Sequence, residues 1–167
     1  MHVRFICGVA IALAAVLFMT GTTTAQQGKG QVPSVEELAG RLRDDNFGVR
    51  LQTLNHIGAM RPHAKEVAPE VIRLLKDPNY QVRARAANVL GNLQNALPDL
   101  GKRFPECIPQ LTVMLSDKDP EDHHQMVRRF AAYALGHLGE SSKAAVPDLL
   151  KISTDKNDNA SVRTEAV

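Results

Sequence analysis

The chain has 167 residues, a formal net charge of +2 and 44% hydrophobic residues, but only 4% aromatic residues and no Trp. So small a net charge excludes a strong global field that would recruit nucleic acid or an anionic membrane. Two cysteines exclude a disulfide-rich scaffold, so stability must come from an aliphatic core.

Residues 1–25 are predicted to be a secretory signal peptide. Arg4 precedes an uncharged apolar run from Phe5 to Met19, and small residues follow as far as Ala25. A membrane span needs about 20 apolar residues, and this run is shorter. Cleavage near Ala25 would give a secreted or periplasmic protein, and an uncleaved signal anchor is the alternative. No other membrane association is expected.

Residues 26–32 (QQGKGQV) are polar and aperiodic, which predicts a flexible leader. The helical pattern begins behind Pro33, where Ser34 and Glu37 fit a capping box. Cleavage of the signal would also remove Cys7, leaving Cys107 as a cysteine without an internal disulfide partner. We expect Cys107 to be a small buried residue rather than a reactive thiol.

A ten-residue phrase then recurs, opening with Val-Arg and closing with Gly. It starts at Val49 (VRLQTLNHIG), Val82 (VRARAANVLG) and Val127 (VRRFAAYALG), and a shortened copy, VRTEAV, starts at Val162. These starts are 33, 45 and 35 residues apart, and such a period is typical of a solenoid. The excess in the middle interval falls in the connections, which tolerate length better than packed helices do.

Each Val-Arg helix is preceded by an apolar helix, which we predict to start at a proline: Pro33, Pro69, Pro109 and Pro147. The predicted fold is therefore an all-α solenoid of about four helical pairs, at residues 33–61, 69–94, 109–140 and 147–167. The last pair is truncated, so its apolar face should be poorly covered. Fraying, a longer array or a capping subunit at this C-terminal end would each account for that.

The Val-Arg helices share an apolar face at offsets 0, 4, 5, 8 and 11 from the opening Val. The face comprises Val49, Thr53, Leu54, Ile57 and Met60, then Val82, Ala86, Ala87, Leu90 and Leu93, then Val127, Ala131, Ala132, Leu135 and Leu138. A glycine closes each full copy, at Gly58, Gly91 and Gly136. Because Gly in a helix costs about 1 kcal/mol relative to Ala, close packing or a helix exit is expected to compensate.

The third copy, VRRFAAYALGHLGESSKAAVPDLLKI from Val127 to Ile152, makes the chain resemble the HEAT-repeat family. The short variant typified by phycobilin-lyase-like proteins is the most similar. The resemblance covers about residues 33–167 and implies an α-solenoid that serves mainly as an interaction scaffold, although a few members are enzymes.

The resemblance also implies a ladder in which turn aspartates bond helix arginines between repeats. The matching residues are Asp44, Asp77, Asp117 and Asp155 with Arg50, Arg83, Arg128 and Arg163. We interpret this row as structural, because a turn Asp can cap a helix and Arg can bond a carboxylate with two hydrogen bonds. A row of ligand-binding arginines is the alternative.

Other positions of the Val-Arg helices face away from the packed side, and in a HEAT array they would line the concave surface. They run from amide-rich to aromatic: Gln52, Asn55, Arg85, Asn88, Asn92, Phe130, Tyr133 and His137. Exposed aromatics beside Arg and Asn are typical anchors of a protein-binding surface. Alternatively, Phe130 and Tyr133 pack against the long connections of the middle repeat.

The sequence offers little catalytic chemistry. His123 and His124 lie in an acidic segment, Asp119 to Met126, but adjacent loop histidines rarely chelate one metal ion. Deoxyhypusine hydroxylase, a HEAT-repeat enzyme, holds iron through His-Glu dipeptides, and this sequence contains none. No phosphate loop, serine nucleophile elbow or CxxC pair is present.

The sequence therefore predicts an exported, non-enzymatic scaffold, without a cofactor or metal, that binds a protein or peptide and not nucleic acid. The alternative is a lyase-like HEAT enzyme or a protein that handles a chromophore.

Overall fold

A computed structural model describes residues 33–59, 64–117 and 124–167. The predicted signal peptide and leader lie outside these residues. The described residues form helices and turns without a β-strand, and they belong to one compact unit. The predicted all-α solenoid is confirmed.

The described helices, in chain order, are α1 (Val35–Arg41), α2 (Phe47–Ala59), α3 (Ala64–Arg73), α4 (Tyr80–Leu93), α5 (Leu100–Arg103), α6 (Cys107–Met114), α7 (His124–Leu138), α8 (Val146–Thr154) and α9 (Ala160–Glu165). We call α1, α3, α6 and α8 the first helices, and α2, α4, α7 and α9 the second helices. A 3₁₀ segment, Leu74–Lys76, extends α3, and another, Gly139–Ala145, joins α7 to α8. The short α5 lies in the lengthened connection before α6.

Side-chain caps fix where several helices begin. Ser34 caps α1, because its Oγ accepts a hydrogen bond from the Glu37 amide at 3.1 Å. Three second helices instead follow an Asn three residues before the Val of the Val-Arg pair, at Asn46, Asn79 and Asn159. Each Asn side chain accepts from an amide of the first turn, which satisfies a donor that has no partner within the helix. The sequence prediction gave this capping role to the turn aspartates.

The second helical pair begins earlier than predicted. Helix α3 starts at Ala64, so the prediction that it starts at Pro69 was wrong, and Pro69 lies inside the helix. Val67 and Ala68 are fully buried, so the apolar face extends upstream of the proline and holds that segment against the core. Pro69 is exposed, where water can solvate the carbonyl that loses its helical donor. The other two internal prolines lie within the first three residues of α6 and α8.

The predicted apolar face packs the second helices side by side. All five face positions are buried in α4 and in α7. In α2, Thr53, Leu54 and Ile57 are buried and Val49 is half-buried, whereas Met60 lies outside the described residues. Contacts run from α2 to α4, from α4 to α7 and from α7 to α9, so the second helices form a continuous layer.

One set of contact positions was missed by the sequence pattern. Val89 and Ala134, seven residues after the opening Val of their copies, are fully buried against the preceding second helix. The equivalent residue of α2 is His56, which is exposed. Burial of this position therefore requires a preceding second helix. Helix α2 has none among the described residues, so the polar side chain of His56 stays exposed there.

The closing glycines have different surroundings. A Cβ placed on Gly91 would lie 2.6 Å from Cε1 of Tyr133 and 3.3 Å from Cα of Ala134. A Cβ on Gly58 would make only ordinary contacts, the nearest at 3.6 Å, and one on Gly136 would meet nothing within 4 Å. Close helix approach therefore requires glycine at Gly91, but not at Gly136.

The last helical pair is partly covered. Val162 and Ala166 of the α9 segment are buried, and α9 packs on α7. On α8, Val146 and Leu150 remain 44% and 58% exposed. The poorly covered apolar surface that the sequence predicts thus lies on α8.

Candidate functional site

The eight candidate binding residues lie on α2, α4 and α7, on a surface that we call the second-helix face. Gln52, Asn55 and His137 are exposed, and the other five are half-buried. Those five are Arg85, Asn88, Asn92, Phe130 and Tyr133. Three of the eight side chains are therefore exposed to solvent, while the other five are partly covered by contacts within the protein.

A polar network connects α4 and α7 across this face. The Tyr133 hydroxyl donates to Oδ1 of Asn92 at 3.0 Å, and Nδ2 of Asn92 lies 3.4 Å from Oδ1 of Asn88. The same oxygen of Asn88 accepts from Nη1 of Arg85 at 3.0 Å. Three polar side chains of one helix are thus aligned with a tyrosine of the next, so four of the eight predicted residues form one connected group. Within the described ranges, no hydrogen bond joins Gln52, Asn55 or Phe130 to this group.

Tyr133 packs on its neighbours as well as forming a hydrogen bond. Its ring lies against Gly91, and its centroid is 4.1 Å from that of the His137 ring at an interplanar angle of 38°. Nδ1 of His137 lies 3.0 Å from the Tyr133 carbonyl oxygen, which fixes the exposed imidazole on the last turn of α7. Tyr133 therefore packs on α4, through its ring against Gly91 and its hydroxyl to Asn92.

Phe130 also packs against the core, and Arg129, which the sequence prediction missed, lies over its ring. The Arg129 guanidinium carbon lies 4.7 Å from the centroid of the Phe130 ring, within the range of a cation–π interaction. The third copy reads VRR where the first two read VRL and VRA, and that departure was the available signal.

Arg85 is incompletely bonded. Its Nε is buried without a hydrogen-bond partner, and its Nη2 would lie 3.7 Å from a Cβ on Gly58. The side chain therefore reaches from α4 towards α2. Buried donors normally have partners, so this atom marks a place where the described residues leave hydrogen-bonding capacity unused.

Three arginines of the Val-Arg pairs, Arg50, Arg83 and Arg128, form an inter-repeat ladder. Nε and Nη2 of Arg50 donate to the two carboxylate oxygens of Asp77 at 2.8 and 2.9 Å. Arg83 donates to Asp117 at 3.0 Å. Arg50 and Arg83 each also donate through Nη1 to two carbonyls of their own turn. For Arg50 these are the carbonyls of Asp44 and Asp45. For Arg83 they are those of Asp77 and Pro78. These side chains join neighbouring repeats and are not free for a ligand.

The third step of the ladder uses a different aspartate from the one predicted. Arg128 donates to both carboxylate oxygens of Asp158, not to Asp155. Asp155 is exposed, and in the described part of the chain its carboxylate accepts from the Asn157 amide at 2.9 Å and from no arginine. Asp158 lies four residues before Val162, close to the five-residue spacing of Asp77 and Val82, so counting back from Val-Arg identifies it.

The two ends of the ladder are unpaired among the described residues. The Asp44 carboxylate accepts from the Asn46 amide at 2.8 Å but from no arginine, whereas the Asp44 carbonyl accepts from Arg50. Arg163 donates to the carbonyl of Asp158 at 2.6 Å and to no carboxylate. Both residues therefore organise their own turns without an inter-repeat bond.

No group of three metal-ligating side chains occurs in the described ranges. Most of the Asp119–Met126 segment, including His123, lies outside those ranges. Cys107 is buried, and burial raises the pKa of its thiol to about 11, with the nearby Glu106 charge adding to the shift. At neutral pH this thiol is not a nucleophile. None of the described helices is long and apolar enough to cross a membrane.

Three family models match the chain. A model of HEAT repeats matches residues 35–104, a HEAT-like repeat model matches residues 80–138, and a PBS lyase HEAT-like repeat model matches residues 127–155. No curated protein matches the sequence.

Among solved structures, the chain is similar to an engineered protein from the Northeast Structural Genomics Consortium. The two are 21% identical with a TM-score of 0.59, over 79% of this chain and 59% of that one. The chain thus spans less than two thirds of that protein's length, and the likeness concerns the fold.

Proposed function

We propose that this chain is a non-enzymatic scaffold that binds a protein or peptide along the second-helix face. It belongs to the HEAT-repeat family, with matches that together span residues 35–155. The observation that carries this proposal is the row of solvent-accessible amides and rings on successive packed helices. Amides can bond a partner's backbone, and rigid rings provide contact area at low entropic cost. We also propose that this face is concave, since the second helices pack more extensively on one another than the first helices do.

A photo-crosslinking amino acid in place of Asn55 tests the binding face. Asn55 is exposed and has no side-chain hydrogen bond in the described part of the chain, so its replacement should preserve the fold. The matched control replaces Lys151, which is also exposed but lies on the first helix α8. We expect a discrete crosslinked partner from native extracts with the Asn55 probe only. Equal crosslinking from both positions, or none from Asn55, would contradict the proposal.

We propose further that the chain is exported after cleavage near Ala25. The support is the order of charge, apolar run and small residues in the first 25 residues. Mass spectrometry of the protein purified from its native host should give a first residue close to Gln26. An intact Met1 in the membrane fraction would instead indicate a signal anchor.

A lyase-like enzyme or chromophore-handling protein is the second candidate, supported by the PBS lyase HEAT-like match at residues 127–155. This candidate predicts that the purified protein carries or takes up a tetrapyrrole with visible absorbance. A scaffold without this activity should leave free tetrapyrrole spectra unchanged.

A further inference from the structure

The three helices that carry the second-helix face differ in charge from most of the first helices. Helices α2, α4 and α7, of 13, 14 and 15 residues, contain no Asp or Glu. Three of the first helices do contain them: Glu36 and Glu37 in α1, Glu66 and Glu70 in α3, and Asp148 in α8. Although the chain is nearly neutral overall, the three helices that carry the second-helix face have arginines and histidines without carboxylates of their own. The remaining second helix, α9, contains Glu165.

Two arginines on α4 and α7 form no ion pair with a described carboxylate. Arg50, Arg83 and Arg128 are paired with aspartates in the ladder. Arg85 bonds only the amide oxygen of Asn88, and Arg129 lies over the Phe130 ring, so neither pairs with a described carboxylate. Their positive charge is therefore available to a partner, at positions on adjacent helices.

The neutral groups between these arginines suit a peptide. Asn88 and Asn92 are half-buried beside Arg85, and Asn55 and Gln52 are exposed on the preceding helix. A primary amide offers two donors and an acceptor oxygen, which matches the hydrogen-bonding groups of an extended backbone. Nucleic-acid binding proteins with a strong electrostatic contribution make about six to ten phosphate contacts. Two free arginines fall short of that number.

We infer that the second-helix face binds an extended peptide segment rich in Asp and Glu. Arg85 is the main carboxylate anchor and Arg129 the second, while the amides bond the peptide backbone. The unused Nε of Arg85 provides a further donor for such a carboxylate after a small movement of the side chain. This inference rests on the proposed binding function and specifies the chemistry of the partner.

The experiment uses fluorescence anisotropy of the full chain with three labelled ten-residue peptides, which alternate Ser with Glu, Gln or Lys. We expect binding of the Glu peptide only, weakening steeply between about 50 and 300 mM salt as screening increases. Arg85→Gln should weaken binding by about tenfold or more, and Arg129→Gln should weaken it less. Lys151→Gln removes the same charge from a first helix and should change affinity by less than about twofold.

Each alternative result is distinguishable. Equal affinity for the Gln peptide would overturn the charge inference while leaving the second-helix face as a peptide site. Failure of every peptide would overturn the inference, and the crosslinking at Asn55 would still test the binding function independently. A single-stranded oligonucleotide that competes as well as the Glu peptide would show that the face selects any polyanion, contrary to the inference. Circular dichroism and thermal melting of both Arg variants check that the fold is retained.

Discussion

Arg50 and Asp77 form a buried, bidentate ion pair between consecutive repeats, and the Asp77 side chain is only 4% exposed. Arg50 simultaneously donates to the carbonyls of Asp44 and Asp45 in its own turn. One side chain therefore fixes both the local turn and the position of the next repeat. Removing one member leaves the other charged and buried, which is more costly than the net contribution of the pair.

Asp77→Ala should lower the free energy of unfolding by about 3 to 5 kcal/mol. Asp44→Ala is the matched control, because the Asp44 carboxylate accepts from the amide two residues later, as that of Asp77 does, but from no arginine in the described ranges. The control should cost only about 1 kcal/mol, as expected for loss of a turn hydrogen bond. Urea denaturation of the two variants measures the difference, and equal losses would show that the ladder contributes little.

Asp158→Asn should destabilise the protein more than Asp155→Asn. Asp158 pairs with Arg128 in a half-buried position, whereas Asp155 is exposed and bonds one backbone amide. We expect a difference of about 2 kcal/mol in the free energy of unfolding, from loss of charge-assisted hydrogen bonds. A larger loss from Asp155→Asn would contradict the Arg128–Asp158 pair and support the Arg128–Asp155 pair that the sequence predicted.

Gly91→Ala and Gly136→Ala should change stability in opposite directions. The new Cβ would collide with Tyr133 and approach the α7 backbone at Gly91, but would enter open space at Gly136. We expect a loss of about 1 to 3 kcal/mol for Gly91→Ala from overpacking. Gly136→Ala should gain up to about 1 kcal/mol from helix propensity. Thermal unfolding measures both, and destabilisation by Gly136→Ala would indicate a contact outside the described residues.

Glu70 should contribute to stability in a pH-dependent way. A hydrogen bond from Arg43 holds the pKa of Glu70 below its ordinary value of 4.5, assisted by a hydrogen bond from Arg73. Its stabilising effect should therefore be complete above pH 4.5 and be lost as the pH falls through the lower, folded-state pKa.

The measurement is the free energy of unfolding of wild type and Glu70→Gln between pH 7 and pH 3. The gap between them should be constant at higher pH and shrink below the ordinary pKa. Asp148→Asn, which removes an exposed carboxylate that forms no described ion pair, is the control and should leave a small, flat gap. A Glu70→Gln gap that widened with acid would contradict the assigned direction of the shift.

Cys107 should resist alkylation in the folded protein. The rise of its thiol pKa from 9.0 to about 11 reduces the thiolate fraction at pH 8 about hundredfold, and burial restricts access further. A Cys7→Ser variant isolates this thiol. Iodoacetamide should label it rapidly in urea and at least about a hundred times more slowly without urea. Comparable rates would show that Cys107 is reachable in the native state.

The repeat register could be predicted because burial follows helical spacing, and Val82, Ala86 and Leu90 lie where that spacing puts them. The start of α3 could not, because a proline is compatible with the first turn of a helix as well as with an exposed interior position. Spacing also could not show that Val89 and Ala134 are buried, since their contacts come from the neighbouring repeat.

The candidate face was predicted as a set of positions but not as a connected group. Tyr133 was expected to be an exposed anchor, whereas its ring covers Gly91 and its hydroxyl bonds Asn92. These contacts depend on the lateral offset between α4 and α7, which no property of either helix alone determines. The assignment of the face to partner binding stays a prediction.

Each ladder arginine bonds an aspartate that lies later in the chain. Shortening the protein from its two ends therefore has different consequences. Deletion of α1 and α2 would remove Arg50 and leave the Asp77 carboxylate without its cation, bonded to the Asn79 amide. Deletion of α8 and α9 would remove Asp158 and leave the Arg128 guanidinium without its carboxylate, bonded to the Leu115 carbonyl. Shortening from the front therefore uncovers an anion, and shortening from the back uncovers a cation.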